Sequence, residues 1–210
     1  MREIWFVALL GLLLAGVHPA AAQSPKPAAD ANKMLSLTKD DRILGKPDAP
    51  ITIIEYASLT CPHCRHFEDQ VLPQIEKKWI DTGKAKLVMR DFPLDQRALQ
   101  AEMLARCVPP QRYYPLVKTL FATQEEWVLA KDWPAALART VRLAGIGANE
   151  FDSCLADKKL EDAVAQSRLT AATQLGVDAT PTFFVNGKKF EGEPTVEAFD
   201  QLLSGLAGKS

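Results

Sequence analysis

Along the chain the apolar positions come first in unbroken runs and later in steps of three and four. Positions 4–17 are apolar apart from small glycines. Positions 23–32 are mainly Ala, Pro, Ser and Lys, with too little apolar surface to order themselves, so 23–43 is expected to be a flexible segment. The stretch Ile51-Thr52-Ile53-Ile54-Glu55-Tyr56-Ala57, introduced by Pro47 and Pro50, is β-branched and nearly continuously apolar. That pattern predicts a strand buried on both faces. Positions 62–79 then read as a helix that Pro73 should kink, and 84–90 as the next strand, giving a parallel βαβ unit over 44–93. From 94 to 176 the spacing is helical throughout, with stripes at Leu99, Met103, Cys107; Leu116, Val117, Leu120, Phe121; Leu137, Val141, Ala144; and Leu160, Val164, Ser167, Ala171, Leu175. Gly176 supplies the C-terminal stop of the last. Over 177–210 a short strand at 182–185, an Asn186-Gly187 hairpin turn, a partner strand at 188–191 and a helix carrying Val196, Phe199, Leu202 and Leu203 complete a ββα half. No repeat of fixed period is present. The fold class is α/β: a mixed sheet with a helical insertion between a βαβ and a ββα half.

The first apolar run changes the setting of everything after it. It follows Met1 and Arg2 and ends in His18-Pro19-Ala20-Ala21-Ala22-Gln23, which reads as a secretory signal peptide over 1–22, cut before Gln23. It falls short of the ~20 apolar residues a membrane span needs, and no cysteine follows it to carry a lipid. Losing Arg2 and Glu3 leaves the formal net charge at -1, so nothing favours nucleic acid or an anionic surface. The rest suffices for one sizeable core. All four cysteines lie in it, and in an exported chain an even number is read for disulfides before metal. The expected location is the periplasm.

The chemistry concentrates in Cys61-Pro62-His63-Cys64-Arg65-His66, where the buried strand gives way to a helix. Pro62 at the first helical position makes Cys61 the N-cap, whose side chain accepts from a backbone N–H two or three residues on, here that of Cys64. Those amides and the positive end of the helix dipole stabilise a thiolate at Cys61. Cys64, one turn later on the same face, is the more enclosed sulfur, leaving Cys61 as the exposed, more acidic, attacking one. His63 between them is expected to add to thiolate stabilisation. Zinc would require four converging ligands; Cys61, His63, Cys64 and His66 number four, but adjacent His63 and Cys64 converge poorly, and no metal site is assigned. An inert clip across so short a loop would remove little chain entropy. A redox dithiol is the preferred reading, with a metal-binding carrier as the alternative outside enzymes.

CPHC after a buried strand, followed far downstream by Ala179-Thr180-Pro181-Thr182-Phe183-Phe184-Val185-Asn186-Gly187, resembles the thioredoxin superfamily, specifically the DsbA-like exported thiol–disulfide oxidoreductases. The resemblance spans about 44–206. It implies a cis Thr180–Pro181 bond beside the dithiol, whose backbone pairs with an extended substrate. It also implies a buried acid six residues before the first cysteine, here Glu55, which handles the proton of Cys64. A carboxylate in so apolar a strand needs a partner or a raised pKa unless it faces out at the strand end. The implied activity is donation of the Cys61–Cys64 disulfide to newly exported proteins carrying thiols, without a cofactor, and reoxidation by a quinone-linked membrane oxidase. An isomerase or reductase is the alternative, because Thr before the proline occurs in isomerase-like relatives. Those usually carry an N-terminal dimerisation domain, for which 23–47 is too short, so a monomer is expected. Cys107 and Cys154 are extra to the best-known members. Two buried free thiols are one reading; the oxidising compartment favours a structural disulfide stapling the insertion.

Overall fold

The structure, a computed structural model, describes residues 28–208. The expected leader and its cleavage site lie outside the described residues. Within them, no helix is long and apolar enough to cross a membrane.

A five-stranded mixed sheet forms the centre, in the order β1-β3-β2-β4-β5. β2 (Ile51–Ala57) and β3 (Ala85–Asp91) run parallel, and β4 (Thr182–Val185) pairs antiparallel with the other edge of β2. β5 (Lys188–Lys189) returns from the Asn186-Gly187 turn and is shorter than expected. Alternation along β2 sends Ile51, Ile53 and Ala57, and with them Glu55, to one face. There they meet Cys64, Phe67, Leu72, Phe183 and Phe199 in the main core. Ile54 and Tyr56 take the other face with Val88, Phe92, Ala171 and Phe184.

The helical run that leaves β2 does not simply kink at Pro73. α2 (Pro62–His66) and α3 (Leu72–Ile75) are joined by a wide turn over Phe67–Val71, and a second wide turn follows over Glu76–Ile80. The N–H of Leu72 reaches back five residues to Phe67 O. Pro73 has no N–H to offer, and its ring crowds the carbonyl four residues back. Widening the helix there relieves the clash, as a π-type bulge does elsewhere.

Over its described part the segment expected to be flexible, 23–43, carries regular structure. α1 (Ala28–Met34) and β1 (Ile43–Gly45) bracket it, and β1 adds antiparallel to β3. Leu35 is buried in the second core. The ordering is tertiary: Arg90 of β3 donates to Met34 O and Ser36 O and forks onto Asp41, and beyond the segment Lys86 donates to Pro47 O and Ala49 O. These groups satisfy backbone carbonyls that the segment's own composition leaves open.

The insertion contains α4 (Gln96–Cys107), α5 (Pro110–Ala122), α6 (Gln124–Val128), α7 (Trp133–Leu143), α8 (Ala148–Ala156) and α9 (Lys158–Gln174), and α10 (Val196–Ala207) closes the fold. α5 buries its expected stripe. α4 does not: Ala98, Ala101, Leu104 and Ala105 are its inner face beside Met103, while Leu99 is only half-buried and Cys107 faces out. Small alanines let α4 approach the core closely, which outweighs the larger but fewer Leu99 and Cys107. Cys107 and Cys154 form a disulfide, with Cα atoms 5.9 Å apart, tying the end of α4 to α8.

Candidate active site

β2 ends at Ala57, and a tight turn delivers Cys61 to the start of α2. Cys61 is the N-cap, in extended conformation, and its Sγ accepts from the Cys64 N–H at 3.4 Å. Both sulfurs are reduced. Cys64 is wholly enclosed and Cys61 is only 4 % exposed, so the expected exposed sulfur is in fact covered. The cover is the Thr180–Pro181 loop, whose peptide bond is cis: Cys61 Sγ donates to Thr180 O at 3.2 Å.

The two thiols are separated electrostatically rather than by exposure. The Cys64 thiol donating to Cys61 brings the latter's pKa down from 9.0 to about 5, against the cost of burial, with help from Thr180 and the backbone amides of Cys64 and His63. Burial, with that same hydrogen bond and the nearby Glu55, pushes Cys64 well above the ordinary thiol range. Thr180 acts differently on the two forms of Cys61. Its carbonyl accepts from the thiol, while its buried hydroxyl has no partner there and can turn to donate to the thiolate. His63 contributes its backbone amide to this stabilisation, and its imidazole is exposed. Pro62 holds the first helical position as expected.

Glu55 is buried on the dithiol's face of β2. Burial, the neighbouring Glu68 and Cys61 together raise its pKa well above the carboxylate range, which favours its protonated form. The strand-end reading is thereby set aside. Glu68 was not anticipated. It lies one turn after Cys64 on the same helical face, and burial raises it to about 7 although Lys118 opposes the shift. Spacing alone gave that signal. Glu102 and Gln124, both buried and both bonded to the turn before Cys61, had no signal in the sequence. Among the described residues no group of three or more His, Cys, Asp or Glu side chains converges as a metal site requires. A groove of about 480 Å³ opens beside Thr60 and Pro62, walled by Arg65, His66, Gln124 and Leu129.

A family model described as Thioredoxin matches residues 37–204. The crystal structure of Wolbachia pipientis alpha-DsbA1 superimposes with a TM-score of 0.79 at 36 % identity, covering 85 % of this chain and 96 % of that one. The chain belongs to the thioredoxin superfamily, in its DsbA-like branch. A Rickettsia conorii relative, provisionally named a protein-disulfide oxidoreductase, is 31 % identical over 171 residues, covering 80 % of this chain. The chain spans 62 % of that relative's length. BdbD from Bacillus subtilis shares the fold, with a TM-score of 0.73 at 22 % identity. This DsbA-like chain thus carries its CPHC dithiol, cis-proline loop and buried acid in one place, and keeps its second cysteine pair in a separate disulfide within the insertion.

Proposed function

We propose that the protein is an exported thiol–disulfide oxidoreductase that donates a Cys61–Cys64 disulfide to thiols of newly exported proteins in the periplasm. One observation carries this reading: Cys61 caps α2 with its Sγ accepting from the Cys64 N–H at 3.4 Å, an arrangement that brings its pKa down to about 5 while burial pushes that of Cys64 well above the ordinary thiol range. A thiolate so stabilised favours the reduced dithiol and makes the disulfide a strong oxidant.

A client thiolate attacks Cys61 Sγ of the disulfide, forming a mixed disulfide and expelling Cys64 as a thiolate. Cys64 cannot stay charged in its buried position; the Glu55 carboxyl, whose raised pKa favours the protonated form, supplies the proton and regains one from solvent before the next cycle. A second client thiolate attacks the client sulfur of the mixed disulfide and expels Cys61, which leaves without a proton at neutral pH. Two client thiols have become one disulfide, and one protein disulfide has become a thiolate and a thiol. A quinone-linked membrane oxidase then takes the two electrons and restores the disulfide. The signal-peptide pattern of 1–22 supports export, and the single mixed-sheet unit suits a monomer.

The test is to mix the oxidised protein with a reduced, unfolded client at pH 7 and follow both by thiol alkylation and mass. Client disulfides should form while Cys61 and Cys64 become alkylatable, one pair per client disulfide. Transfer in the opposite direction, with the reduced protein opening client disulfides, would overturn the oxidase reading. N-terminal sequencing of the periplasmic protein should begin at Gln23.

A further inference from the structure

The helical insertion reaches the turn before the dithiol through two buried side chains. Gln124, at the start of α6, is 4 % exposed, and its Nε2 donates to Leu59 O at 2.9 Å and Cys61 O at 3.0 Å. Glu102 of α4 is fully buried and accepts the Leu59 N–H through Oε1 at 3.2 Å. Elsewhere in the turn Cys61 N–H donates to Ser58 O, Thr60 Oγ1 to Asp95 at the head of α4, and Leu94 N–H to Ser58 Oγ. Residues 59–61 are thus gripped on one N–H and two carbonyls by groups outside the thioredoxin-like half.

The Cys61 carbonyl is also the first acceptor of α2, taking the Arg65 N–H at 3.1 Å. With Gln124 it holds two donors from different elements, and the peptide plane after Cys61 cannot swing without losing one. Sγ hangs from the same Cα, so that plane sets the line along which the sulfur faces the Cys64 N–H and Thr180. The Gln124 donor also offsets the negative end of a carbonyl close to the sulfur, weakening its repulsion for a thiolate. A buried amide bonded to two carbonyls is costly to remove, because both acceptors lose a partner away from water.

We propose that Gln124 is a positioning residue of the dithiol: by holding the Leu59 and Cys61 carbonyls it aims the Cys61 sulfur at its amide and hydroxyl donors, so that the helical insertion helps set thiolate stability. The proposal rests on the reading of Cys61 as the reactive sulfur.

Two variants of the full chain test it. Gln124→Met keeps the length and removes the donor; Gln124→Asn keeps the donor one methylene short. Reduced wild type and variants are titrated by thiolate absorbance, equilibrated with glutathione, and melted in parallel. Gln124→Met should raise the Cys61 midpoint by about half a unit to one unit, the effect of one lost hydrogen bond. The thiolate fraction below the midpoint then falls about three- to tenfold, and the dithiol becomes a weaker oxidant. Gln124→Asn should fall between. A folded Gln124→Met with wild-type midpoint and glutathione equilibrium overturns the proposal, whether or not its melting temperature drops. If Gln124→Met does not fold, the same readings on Gln124→Asn decide. A wild-type Cys61 midpoint near that of a free thiol, about 8.5, defeats the oxidase reading itself and the proposal with it, and is recognised without any variant.

Discussion

Acidification should remove stability from the reduced protein that the oxidised protein never had. Cys61 is lowered from 9.0 to about 5 on folding. Its contribution is therefore fully present above the unfolded value near 9 and is lost as pH falls through about 5. Between those limits the unfolded reduced chain binds a proton that the folded chain lacks, and stability rises with pH. From pH 5, where the folded thiol is half protonated, to pH 7 the full effect is about 2.3 kcal/mol. Solvent at the rim of the site screens part of it, leaving about 1–2 kcal/mol. The burial that raises Glu55 and Glu68 is common to both redox forms and largely cancels in the difference. Urea unfolding of the reduced protein, held under excess dithiol, and of the oxidised protein at pH 5, 6, 7 and 8 gives that difference directly. It should grow by about 1–2 kcal/mol between pH 5 and 7 in favour of the reduced form. Parallel stability curves for the two forms would refute the acidity assigned to Cys61.

Glu55→Gln keeps the shape but cannot pass a proton, so mixed-disulfide formation near neutral pH should slow by about tenfold or more; stopped-flow with a thiol peptide measures it, and an unchanged pH–rate profile removes Glu55 from the proton path. Thr180→Val deletes the hydroxyl that the thiolate calls on and should raise the Cys61 midpoint by about one unit, read by thiolate absorbance; no change would leave that hydroxyl without a role. Replacing Cys107 and Cys154 together by Ser opens a disulfide between residues 47 apart, worth about 4 kcal/mol in the chain-entropy model. The melting temperature should fall by on the order of 10 °C, with dithiol exchange at Cys61 largely intact.

The dithiol was legible because its geometry is local. The end of β2, Pro62 at the first helical position and Cys64 three residues after Cys61 are all fixed within one turn of chain. Glu55 was legible by alternation, since it shares a face with Ile53 and Ala57. Its raised pKa was not, because that depends on the closure of the core over it and on Glu68. Gln124 and Glu102 escaped because their bonds to the turn span 65, 63 and 43 positions, and a Gln at a helix start or a Glu among alanines looks solvated. The order of the N-terminal segment escaped for the same reason: it comes from Arg90, far along the chain. The His63 amide was not legible as a donor to the sulfur, because that depends on how the start of α2 turns. On α4 the apolar stripe of large residues was followed and the tighter alanine face overlooked.

The most direct measurement is the equilibrium of the Cys61–Cys64 pair against glutathione at pH 7. A thiolate held at about pKa 5 places the pair among strong oxidants, with a potential of about −120 to −180 mV, so that it remains mostly reduced in moderately oxidising buffer. A potential near about −270 mV, that of a reductant such as thioredoxin, would contradict donation of the disulfide.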